Sequence, residues 1–170
     1  MHHLLIAQQL ERNAETIQSI VAGINTEQAH WKPTEEDWSM VEVINHLFDE
    51  ERFDFRQRVD YTLHRPGEAW PSIHPGSWVT ERKYNQRMLG ESLGDFLRER
   101  RQSVHWLNNL QAPDWDKSEK HPDGFVISAG DLLASWLAHD FLHLRQLVEL
   151  HYAWVKQSVA PRNIEYAGDW

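Results

Sequence analysis

Apolar residues recur every three or four positions along four long stretches of the chain, which is the spacing of amphipathic helices. No stretch shows the alternation typical of strands, and no repeat or linker divides the 170 residues. The pattern predicts an all-α protein, a four-helix bundle in a single domain over residues 1–170. The four predicted helices span about 4–24, 40–64, 92–110 and 129–152.

Capping signals support three of these helix starts. Ser39 with Glu42 three residues later has the spacing of a capping box, and so do Ser92 with Asp95 and Ser128 with Asp131. A long crossover between helices 2 and 3 is expected, because prolines and glycines interrupt residues 65–77 and exclude a continuous helix there. We expect a short helix at about 80–89, a second long loop before residue 129, and no recognisable pattern over 153–170.

Two histidines one turn apart lie on the apolar face of the fourth helix. At about 100° per residue, His139 and His143 fall in the same arc as Leu132, Trp136 and Leu147, so both imidazoles should point inward. Histidines at positions i and i+4 can chelate one metal ion. A third ligand is then needed.

His46 is the predicted third ligand. On the second helix it shares the inward side with Glu50, and the opposite side carries a polar cluster of Glu42, Asn45, Asp49, Arg52, Arg56 and Asp60. Three imidazole nitrogens would leave at least one coordination position for water or substrate, as in catalytic metal sites. Glu50 is the candidate catalytic residue, as a general base or as an acceptor that orients an imidazole. Alternatively, Glu50 is a solvated carboxylate at the mouth of the bundle.

Composition narrows the choice of partners and compartment. The net charge of -9, from 17 basic and 26 acidic residues, argues against nucleic acid or an anionic membrane as the main partner. The chain has no cysteine, so any metal must be held by His, Asp or Glu. No signal peptide or apolar run long enough to cross a bilayer is recognisable, and the cytoplasm is the expected compartment.

The motifs of helices 2 and 4 resemble those of the DinB-like superfamily. The residues that carry this resemblance are Trp38, Ser39, Glu42, His46, Leu47 and Glu50, followed by His139, Asp140, His143, Leu144, Arg145 and Gln146. That family includes YfiT-like metal-dependent hydrolases and transferases that use mycothiol or bacillithiol.

The resemblance implies an up-down-down-up bundle and a divalent metal held by His46, His139 and His143. Nickel or zinc is the expected ion, with iron or manganese as alternatives. The implied partners are a small-molecule substrate, a low-molecular-weight thiol as cosubstrate, and a second copy of the chain in a homodimer. The resemblance leaves the reaction open, and a bundle that binds metal or a small ligand without turnover is the competing hypothesis.

Two further predictions concern the surroundings of the site. Asp140 is expected to accept a ring N–H or to pair with an arginine, and Trp38, Phe53 and Trp136 are expected to wall an apolar pocket. A di-iron carboxylate bundle is the rival metal site, because Glu27 with His30 has its Glu-x-x-His spacing. That pair lies in a connection ended by a proline, and helices 1 and 3 lack inward glutamates, so we reject this alternative.

Overall fold

The structure is a computed structural model that describes residues 2–170, and it confirms the four-helix bundle. Within these residues it contains seven α-helices, one π-helical turn and one small sheet. The α-helices are α1 (His3–Ile20), α2 (Thr26–His30), α3 (Met40–Glu50), α4 (Arg56–His64), α5 (Pro75–Glu81), α6 (Leu89–Asn109) and α7 (Ala129–Ser158). The π-helical turn is Glu51–Phe55, two 3₁₀ turns are Tyr84–Gln86 and Glu165–Ala167, and the strands are β1 (Ser118–Lys120) and β2 (Val126–Ser128).

Four long units form the bundle: α1, the combined α3 and α4 with the π turn between them, α6, and α7. Helices α1 and α3 each pack against both α6 and α7, so the four units enclose a common interior. Fully buried side chains from all four units fill it, including Leu10, Ile44, Phe96 and Leu147. No helix in the described part of the chain is both long and apolar enough to cross a membrane.

Within α3 the polar side of the second unit is buried, although the sequence pattern placed it opposite the apolar side. Asn45 Nδ2 donates to Ser92 Oγ at 2.8 Å. Asp49 accepts a hydrogen bond from the Tyr84 hydroxyl and pairs with Arg82 at 2.7 Å. Because these partners from the α5–α6 region satisfy the polar atoms, α3 can be buried on nearly every side.

Several predicted boundaries are wrong by a few residues. The first helix ends at Ile20 rather than 24, and a turn with Gly23 at a φ of 76° follows. The third begins at Leu89, so Ser92 is not a cap but a buried residue inside α6. The short helix runs over Pro75–Glu81, earlier than predicted, with proline in its first turn.

The capping boxes of Ser39 and Ser128 are both confirmed, and α7 continues to Ser158, beyond the predicted end at 152. The region before α7 was predicted as a loop, but it forms an antiparallel hairpin in which Ser118 pairs with Ser128. Each strand has three residues, which is too few for an alternating pattern to be recognisable.

Candidate metal centre

Three histidine side chains from two distant segments converge at one point in the bundle. His139 Nε2 lies 3.2 Å from His46 Nε2 and 3.1 Å from His143 Nε2. The three ligand atoms all lie within 4.8 Å of one another. Nitrogens bound at 2.0–2.1 Å around a tetrahedral ion lie about 3.3 Å apart, so the observed spacing fits a shared metal ion.

Hydrogen bonding indicates which ring nitrogens carry protons. His143 Nδ1 lies 2.8 Å from Gln146 Oε1, an acceptor, so its proton belongs on Nδ1 and its Nε2 lone pair is free. His46 Nδ1 lies 3.9 Å from Glu50 Oε1, and both atoms are buried without a hydrogen-bond partner. A proton on His46 Nδ1 would face the carboxyl group and leave its Nε2 lone pair free to bind an ion. Three neutral imidazole nitrogens that meet in this way fit a shared metal.

Burial keeps the three imidazoles uncharged. Loss of water on burial, together with smaller contributions from the neighbouring His143 and His139, lowers the pKa of His46 to about 2. Burial and the neighbouring His143 lower the pKa of His139 to about 3. Burial also lowers the pKa of His143, opposed by its hydrogen bond to Gln146. All three rings are therefore neutral at neutral pH, which is the form that binds metals.

Two aromatic rings flank the cluster. The Trp38 ring lies 4.9 Å from that of His46, and it is parallel to that of His143 at 6.3 Å. The Phe55 ring lies 5.0 Å from that of His139. The histidines therefore lie between apolar walls.

The predicted wall is only partly correct. Phe53 packs edge-on against Trp78 at 6.0 Å, and Phe55 contacts His139 in its place. Both belong to the π turn, whose wider turn changes which side chain faces inward. Trp136 is fully buried, parallel to Phe55 at 6.0 Å, and so supports the wall from behind.

A buried carboxyl group, that of Glu50, lies beside His46, and a second, that of Asp54, lies next to Glu50. Glu50 is 5% exposed and Asp54 is 9% exposed, so the alternative of a solvated carboxylate at the mouth is wrong for Glu50. Burial, together with the charge of Asp54, raises the pKa of Glu50 to about 9. Burial also raises the pKa of Asp54, opposed by Arg58, whose Nε lies 2.6 Å away. Glu50 therefore keeps its proton at neutral pH, which favours a proton donor over the general base predicted from the sequence.

Asp140 pairs with an arginine, one of the two partners predicted for it. It is fully buried, and Arg100 donates to both of its oxygens at 2.7 Å. The sequence analysis did not identify Arg100, because it considered only the apolar residues and the cap of this helix. A signal was present, since Arg100 stands four residues from both Phe96 and Val104 on the apolar stripe.

The structure does not support the rival di-iron site. Glu27 and His30 lie on the five-residue helix α2, and the His30 ring bonds to the backbone oxygens of Thr26 and Arg87. Over residues 2–170, the histidine triad alone has the spacing of a three-ligand metal site.

Comparisons with known proteins agree with this geometry. The family model described as DinB superfamily matches residues 9–147. Among solved structures, YfiT from Bacillus subtilis, described as a probable metal-dependent hydrolase with an unusual four-helix bundle topology, aligns with a TM-score of 0.75. The alignment covers 85% of this chain and 83% of that one at 18% identity, which shows a shared fold. No curated protein matches the chain.

Proposed function

This chain belongs to the DinB superfamily, and from that membership and the converging histidines we propose that it is a metal-dependent hydrolase acting on a small molecule. The observation that carries the proposal is the meeting of three Nε2 atoms, two of which lie 3.1 and 3.2 Å from the third. His46, His139 and His143 would hold the ion. Three protein ligands are typical of catalytic metal sites, whereas structural sites have four.

A bound divalent ion would supply a water of lowered pKa and would polarise a carbonyl or phosphoryl oxygen. Imidazole ligands suit nickel and zinc, the ions we favour, and also iron; manganese is the remaining alternative. Because the three rings are neutral in the folded protein, they can bind an ion at neutral pH without first releasing protons.

Glu50 is the residue we assign to proton transfer. Its carboxyl group lies next to His46, has an unpartnered oxygen and holds its proton at neutral pH, so it can protonate a leaving group. Arg58 holds Asp54 in place beside it. Trp38 and Phe55 limit the access of bulk water to the histidines, which strengthens electrostatic interactions within the site.

Metal content tests the site directly. His143→Ala should lose most of the metal found in the wild type, measured by elemental analysis of protein purified without an affinity tag. His151→Ala is the matched control, since His151 lies on the same helix and its ring bonds to Gln28 and the Ile20 carbonyl. An unchanged metal-to-protein ratio in His143→Ala would contradict the proposal.

Turnover is tested with a panel of esters, amides and electrophiles, using metal-loaded and chelated protein. Hydrolysis should require the metal, and Glu50→Gln should retain the metal but lose about 10²–10⁴-fold in rate. Each assay is repeated with added low-molecular-weight thiols, since the chain has no cysteine and any transferred thiolate would come from a cosubstrate. Metal binding without turnover under any of these conditions would favour the non-catalytic binding module.

A further inference from the structure

A buried hydrogen-bonded network joins all four long helical units beside the histidines. Arg100 of α6 is 2% exposed, and its Nη1 and Nη2 donate to Asp140 of α7 at 2.7 Å. Its Nε donates to Glu51 Oε1 at 2.9 Å, and Nη1 also donates to the Leu10 carbonyl of α1 at 2.8 Å. Asn13 of α1 adds a bond to Asp140 at 3.1 Å. One guanidinium therefore contacts every wall of the bundle.

The network reaches both sides of His139. Asp140 is the next residue in the chain. On the other side, the indole N–H of Trp136 donates to Glu51 Oε2 at 2.9 Å, and the Trp136 ring lies parallel to Phe55, which contacts His139. Glu51 is also the first residue of the π turn, directly after the helix that carries the third histidine. Both ligand-bearing segments are thus bonded to one arginine.

Stability alone is a poor reason for such a network. Buried charges lose their hydration, and apolar residues of similar volume are often as stabilising or more so. What a guanidinium adds is geometry, because its planar fork fixes the relative orientation of the carboxylates that it binds. Metal sites need this, since ligands displaced by more than about 0.5 Å no longer bind well.

We propose that Arg100, Glu51 and Asp140 are positioning residues that set the spacing between His46 and the His139–His143 pair. The consequence for metal affinity rests on the proposed function, whereas the spacing itself is a property of the metal-free protein. None of the three network side chains is a ligand; they act through the helices that carry the ligands.

The first test replaces the three charged members of the network together, so that no charge is left buried without a partner. The variant Glu51→Met/Arg100→Met/Asp140→Leu should fold, but its Kd for Zn²⁺ should rise about 10–100-fold, and the visible absorption bands of bound Co²⁺ should shift. The matched control, Arg145→Met/Glu149→Met, removes an exposed ion pair from α7 and should leave both readouts unchanged. Wild-type affinity and spectrum in the folded network variant would overturn the proposal.

A conservative variant keeps the test decisive if the triple variant does not fold. Arg100→Lys retains the charge but not the fork, and it should weaken Zn²⁺ binding. Leu107→Ala, a core truncation in α6, controls for lost stability and should keep the wild-type Kd. Wild-type affinity in folded Arg100→Lys would refute the role of the fork.

Metal-free crystal structures separate this inference from the proposed function. Failure of the wild type to bind Zn²⁺ or Co²⁺ would reject the metal site, but the spacing can still be measured. In a folded network variant, the Nε2 atoms of His46 and His139 should move apart from their 3.2 Å separation by about 1 Å. An unchanged separation would overturn the positioning role, whether or not metal binds.

Discussion

Replacing Glu50 with glutamine should change how the stability of the metal-free protein depends on pH. The pKa of Glu50 is raised from 4.5 to about 9 by burial and by Asp54. The protonated Glu50 side chain therefore stabilises the folded state fully below pH 4.5, its pKa in the unfolded chain, and this stabilisation is lost as the pH rises towards 9. His46 and His139 act in the opposite sense, because their pKa values in the folded protein lie below the value of 6.5 in the unfolded chain. The stability that these neutral rings contribute is therefore lost as the pH falls.

These opposing contributions can be estimated between about pH 7 and about pH 5.5. Acidification over this range should stabilise the wild type by about 2 kcal/mol through Glu50, at about 1.36 kcal/mol per pH unit. His46 and His139 should each destabilise it by about 1 kcal/mol over the same range. The two effects nearly cancel in the wild type. In Glu50→Gln only the histidine contribution remains, so acidification should destabilise the variant by about 2 kcal/mol.

Urea unfolding of chelator-treated protein at the two pH values measures this difference. The informative quantity is the change in unfolding free energy of Glu50→Gln minus that of the wild type, because titrating groups that do not contact Glu50 contribute equally to both. Glu11→Gln alters an exposed carboxylate of α1 and should behave as the wild type does. An equal pH dependence in the wild type and Glu50→Gln would show that Glu50 is ionised in the folded protein and would refute the reasoning.

Two further predictions concern side chains that anchor the bundle. Tyr84→Phe should lower the unfolding free energy by about 1–3 kcal/mol, because buried Asp49 loses a hydrogen-bond donor; Tyr166→Phe, at a fully exposed site, should leave urea unfolding unchanged. Ser128→Ala should cost about 1 kcal/mol by removing the cap that accepts from the Asp131 backbone N–H. A thermal melt identical to that of the wild type would show that this cap contributes nothing.

Local patterns predicted the features that depend on a single helix. Helical spacing alone brings His139 and His143 to one face, and the apolar side of the second helix contains His46. The structure brings all three rings together, while their role as ligands stays a prediction. The bundle could be predicted because amphipathic helices of this length must bury their apolar sides against one another.

Features that depend on distant partners could not be read from local patterns. Arg100 is buried because Glu51 and Asp140, far away in sequence, neutralise it. Without these partners its burial would be too costly, so periodicity alone places a charged residue at the surface. The π turn likewise changes which side chain faces the histidines, and this replaced the predicted Phe53 with Phe55.

His46 and His139 are separated by 93 positions in the chain. An ion shared between them would act as a cross-link that closes a very long loop, and it would favour the native state by mass action. At a free metal concentration of 100 times the Kd, this amounts to about 2.7 kcal/mol. Chelation should therefore lower the melting temperature and hasten proteolysis, and the supply of metal to a cell would govern how much of this protein survives.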